Sequence, residues 1–73
     1  MPKLPRISGK EVAGILEVNG FMKVRQRGSH MVLQKRLETT TVTVPVPDHK
    51  ELKTGTLRSI IRQSGLSRSL FEK

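Results

Sequence analysis

The sequence predicts an α+β fold in a single small domain: a helix, a three-stranded antiparallel sheet and a second helix, with both helices covering one face of the sheet. Three observations predict it. A helix-start pattern at Ser8 precedes apolar residues at helical spacing, and alternating apolar and cationic residues punctuated by Gly28, Ser29, Pro45 and Pro47 run from Phe21 to Pro47. A second helical stripe then ends at Gly65. A chain of 73 residues suffices for one domain, taken as 1–73, and buries only roughly 60% of the surface its unfolded form exposes.

Met1 to Arg6 carries two prolines and two cations and reads as an irregular arm. At Ser8 a helix begins, because Ser8 as N-cap and Glu11 three positions on can each satisfy an amide of the first turn. Val12, Ile15 and Leu16 form its buried stripe, and Asn19-Gly20 supplies a left-handed stop. From Met22 the period changes to two. Met22, Val24 and Gln26 interleave with Lys23, Arg25 and Arg27 before Gly28 and Ser29 break the run, which is a hairpin pattern.

With Gly28 and Ser29 as the central residues of a type II′ turn, pairing follows. Arg27 faces His30, Gln26 faces Met31, Arg25 faces Val32, Val24 faces Leu33 and Lys23 faces Gln34. Directly opposed residues share a face. Met22, Val24, Met31 and Leu33 then form the core face, while Lys23, Arg25, Arg27 and His30 form an open cationic platform, with Phe21 and Val32 as local apolar cover on the open side. A slip of one residue would exchange the faces of one strand.

The third strand lies in "TTTVTVPVP", where Val42, Val44 and Val46 share one face. Pro45 and Pro47 cannot donate to a ladder, so this strand ends there or lies at an edge. Asp48 to Gly55 is a polar connection, after which Thr54 or Thr56 caps a second helix whose stripe is Leu57, Ile60 and Ile61 and whose stop is Gly65. Ser67 caps one last turn, with Leu70 and Phe71 folding back.

Fourteen Lys and Arg against six Asp and Glu give a net charge of +8, and no acid lies between Glu17 and Glu38. Nucleic acid is the partner such a surface favours. A domain this small does not enclose a deep cleft, so a polymer suits it better than a small substrate. The absence of cysteine excludes a disulfide scaffold and a thiolate zinc site, and agrees with a cytoplasmic home. The longest apolar stretch near the N-terminus, Val12 to Leu16, is too short for a signal-peptide core or a membrane span, so no membrane role is expected.

The acids Glu11, Glu17, Glu38, Asp48, Glu51 and Glu72 are scattered, with no metal-ligand spacing, so no metal or other cofactor is expected. RNA carries its own nucleophile in the 2′-hydroxyl, and one positioned imidazole plus cations can suffice to cut it. His30 is the candidate, as general base or as general acid. Arg25, Arg27 or Lys35 would hold the phosphate, and Lys23, Gly28 and Ser29 complete the basic hairpin. Lys53, near the second helix's N-terminus, is placed for a further phosphate. His49, in "PDHKE", reads as a surface group that could still approach the hairpin. The competing reading is a small non-catalytic RNA-binding module with His30 as polar trim.

"GSH" at 28–30, "TVTVPVP" at 41–47 and "ELKTGTLRSIIRQSGLS" at 51–67 together resemble the HicA family of toxins, over nearly the whole chain. The resemblance implies a fold similar to the double-stranded RNA-binding domain and an mRNA-cleaving toxin whose active histidine maps onto His30. It also implies a HicB-like antitoxin that covers this site. Many members carry a second histidine directly after the first. Here that position is Met31, which the pairing above directs into the core.

Overall fold

The computed structural model describes residues 6–72. Of the expected N-terminal arm, Met1 to Pro5 therefore lie outside the described residues, and Arg6 pairs with Glu51 at 3.2 Å. The elements follow in the predicted order: α1 (Gly9–Val18), β1 (Met22–Arg27), β2 (His30–Arg36), β3 (Thr41–Pro47), α2 (Thr54–Ser64), then a 3₁₀ turn (Arg68–Phe71). The sheet is antiparallel in the order β1-β2-β3.

Local chemistry accounts for most element ends. The Ser8 hydroxyl accepts from the Glu11 amide at 3.1 Å, and the Glu11 carboxylate accepts from the Ser8 amide at 3.3 Å, so the capping box forms in full. Gly20 takes φ +97° just beyond α1, and Gly65 takes φ +71° at the end of α2. Ser67 caps the final turn through the Ser69 amide. α2 departs from expectation. Its N-cap is Lys53, with no side-chain bond to the helix amides, so neither Thr54 nor Thr56 caps it.

One cluster forms the core. Val12, Ala13 and Leu16 of α1, Met31 and Leu33 of β2, Val44 and Val46 of β3, and Leu57 and Ile60 of α2 are all buried in it. Phe71 closes one end, while Leu70 points outward, against the expectation that both fold back. The connection after β3 is less polar than it reads. Leu52 within it is buried, and its amide donates to the Ile7 carbonyl at 2.9 Å.

The hairpin keeps the expected register near its turn and loses it farther away. Arg27 pairs with His30, Gln26 with Met31 and Arg25 with Val32. Val24 is then an extra residue in a bulge, so Lys23 pairs with Leu33 and Met22 with Gln34. The expected placement of Met22 and Val24 in the core is therefore corrected: they are 70% and 48% exposed. Lys23 moves to the helix side of the sheet with Leu33, where its ammonium donates to the Gln26 side chain at 2.7 Å. The cause is positional. β1 is an edge strand that can absorb an extra residue without disturbing a second partner, and Phe21, expected on the basic side, instead buries itself at the strand's start and anchors that end.

Candidate nucleic-acid interface and active site

The site grows from a two-residue turn. Gly28 has φ +57° and no other residue type among the described residues has positive φ, so only the first central position is left-handed, as a type II′ turn requires. The next residue, Ser29, has its carbonyl tied to the Asp48 amide at 2.6 Å, and the Gln26 side-chain amide donates to the Gly28 carbonyl at 3.3 Å. This staking fixes where β2 starts. His30 is its first residue and lies exposed.

Strand alternation builds the face around it. Arg27 stands directly opposite His30 on one side, and Pro47 on the other; Arg25, Val32 and Pro45 form the next row, then Met22, Gln34 and Thr43. Among the described residues, Arg25 and Arg27 of this face form no ion pair. The ion pairs among the described residues are Arg6–Glu51 and Arg68–Glu72, far from Arg25 and Arg27 in sequence and using neither. No described side chain is bonded to the His30 ring.

Lys35 is not part of this constellation. It falls on the helix side with Met31 and Leu33, where its ammonium donates to the Asn19 carbonyl at 3.1 Å and sits 5.9 Å from the centroid of the Phe21 ring. It thus caps the C-terminal end of α1, whose carbonyls carry partial negative charge. The expectation that Lys35 holds a phosphate beside His30 is corrected by the period of the strand. Lys23 is likewise on the other face. Lys53 is exposed at the N-cap of α2.

His49 is exposed, in a shallow depression formed with Ser8, Lys10, Asp48 and Lys50, and its backbone carbonyl accepts from the Gly9 amide at 2.8 Å. It does not line the depression that contains His30. That second depression, of about 380 Å³, lies between β3 and α2 and is bounded by His30, Pro45, Pro47, Gly55, Thr56, Ser59, Ile60 and Gln63. Its α2 wall escaped the sequence reading. Thr56, Ser59 and Gln63 recur at helical spacing, a usable signal only once it is known which flank of α2 meets β3.

Among the described residues no three His, Asp or Glu gather closely enough to hold a metal ion. No helix among them is long and apolar enough to cross a membrane. The family model for the HicA toxin of bacterial toxin–antitoxin systems matches residues 9–66, from the first turn of α1 to just past α2. The chain belongs to the HicA toxin family. Comparison with curated proteins gives no match. The family implies a toxin–antitoxin partner, and the match takes in the whole hairpin, β3 and the groove beside them.

Proposed function

We propose that this chain is an endoribonuclease that cuts mRNA with the His30 imidazole and is neutralised by a HicB-like antitoxin seated over the same face. The observation that carries the reading is the pairing of His30 with Arg27 on a sheet face where both lie exposed and no carboxylate among the described residues pairs with the arginine. RNA supplies the nucleophile. Its 2′-oxygen forms a bond to the adjacent phosphorus as the bond to the 5′-oxygen breaks, one proton leaving the former and one arriving at the latter. His30 serves one of these transfers, as base or as acid, with water serving the other. Arg27 stands in the same row and Arg25 in the next, placed to bind the phosphate and the charge that builds on it. Family membership supports the toxin role and the existence of an antitoxin. The unpaired cations also suit an RNA backbone, whose binding they would make salt-dependent.

The test combines growth and cleavage. Induced wild-type chain should arrest bacterial growth and cut RNA in excess chelator, and His30→Ala should do neither while melting at the same temperature and binding RNA with similar affinity. His30→Ala that cuts as well as wild type would leave a non-catalytic RNA-binding module as the correct description.

A further inference from the structure

We propose that the groove between β3 and α2 is a binding site for one unstacked nucleobase next to the cleaved phosphate, read by the Ser59–Gln63 pair; this rests on the ribonuclease reading and names the form of its substrate. The first argument is continuity. His30 forms part of the groove, and Pro47 and Pro45, opposite His30 and Val32 in the sheet, form its strand side. A nucleotide whose phosphate meets His30 and Arg27 therefore has its base beside these rings.

The second argument is what the open face lacks. Proteins that hold single-stranded RNA commonly stack its bases on aromatic side chains. The aromatic residues here are Phe21 and Phe71, and both are buried in the core. The sheet thus offers cations, prolines and the His30 imidazole committed to the phosphate, but no exposed Phe, Tyr or Trp face, so a base splayed from the strand has the groove as its apolar recess. Pro45 and Pro47 give it nonpolar contact. The volume, about 380 Å³, falls at the small end of ligand sites.

The third argument is hydrogen-bonding capacity. The Gln63 side-chain amide donates to the Ser59 hydroxyl oxygen at 3.0 Å. That bond leaves the Ser59 hydroxyl hydrogen, the Gln63 carbonyl oxygen and its second N–H for other partners, so one fixed pair offers both a donor and an acceptor at the groove's rim. Thr56 adds a hydroxyl one turn earlier. Base edges are distinguished by such donor and acceptor patterns. A base paired in a duplex has its Watson–Crick edge occupied and its faces stacked, so it cannot enter the groove, which makes the substrate single-stranded where it is cut.

Two measurements test this separately from His30. With 2′-O-methyl hexamers of each base, which lack the nucleophile, the wild-type chain should bind one base about tenfold more tightly than the weakest, and Gln63→Ala and Ser59→Ala should each flatten that difference while melting as wild type. In cleavage of short single-stranded RNAs varied at the two positions flanking the cut, Gln63→Ala should lose the preference among sequences, and annealing the complementary strand should suppress cleavage. Equal affinity of wild type for all four hexamers, or an unchanged preference in both variants, would overturn the proposal. Normal cleavage by His30→Ala would overturn the ribonuclease reading instead, with the hexamer affinities deciding the groove independently.

Discussion

Gly9→Ala and Gly14→Ala make the same chemical change in one helix with opposite expected signs. Alanine is favoured over glycine in a helix interior by about 1 kcal/mol, partly through the reduced freedom of the unfolded chain. At Gly14 a new methyl meets nothing within 4 Å, so this gain should be realised as roughly 0.5–1 kcal/mol of stabilisation. At Gly9 the methyl would overlap the Pro47 carbonyl oxygen and lie 2.9 Å from the Pro47 carbonyl carbon and 3.1 Å from the Asp48 Cα. All three are backbone atoms, so no side-chain rotation relieves the clash. The start of α1 must back away from the end of β3, which stretches the 2.8 Å bond from the Gly9 amide to the His49 carbonyl. Overpacking costs about 1–3 kcal/mol and a lost hydrogen bond about 1 kcal/mol. Set against the propensity gain, the net is a loss of about 1–3 kcal/mol. In a domain of this size each kcal/mol moves Tm by about 4–8 °C. Thermal melts followed by circular dichroism should therefore place Gly9→Ala about 4–24 °C below wild type and Gly14→Ala about 2–8 °C above it. The consequence reaches the site, because Asp48, beside the clash, holds the Ser29 carbonyl and so the start of β2. Similar shifts of the two variants, in either direction, would refute the packing argument.

Lys35→Met should lower stability by about 1 kcal/mol in a denaturant titration, through the lost Asn19 bond and Phe21 contact, while Arg27→Ala should leave the midpoint almost unchanged. RNA affinity should divide the two the other way: Arg27→Ala reduces the slope of log affinity against log salt by about 0.7, and an equal reduction by Lys35→Met would contradict its placement on the helix side. Gly28→Ala puts a side chain at φ +57° and should cost about 1–2 kcal/mol by chemical unfolding; a smaller cost than Gly14→Ala's gain would argue against the type II′ turn. Phe71→Ala removes a fully buried ring and should cost about 3–5 kcal/mol, enough to broaden or abolish the thermal transition, whereas Leu70→Ala should be nearly silent.

Legibility in the sequence tracked distance along the chain. Ser8 and Glu11 announced the start of α1, and Gly28-Ser29 fixed the three residue pairs nearest the turn, because a type II′ turn dictates register locally. The prolines of β3 announced an edge, and β3 is one. Past those three pairs the same logic failed at Val24, since whether an edge strand bulges depends on how Phe21 seats under α1. Lys35 failed for a different reason: charge drew it toward the phosphate-binding set, although a period of two from His30 already assigned it to the other face.

By itself, then, the sequence determined the order of elements, the turn that presents His30 and the cationic character of the face around it, because caps, turns and alternation act between residues a few positions apart. Tertiary structure decided that Met22 and Val24 lie outside, that Lys35 serves α1, and that Thr56, Ser59 and Gln63 meet His30 and the β3 prolines across a shared groove. Those outcomes depend on how α1 and α2 settle against the sheet. Residues separated by dozens of positions determine them, through packing that no local pattern encodes.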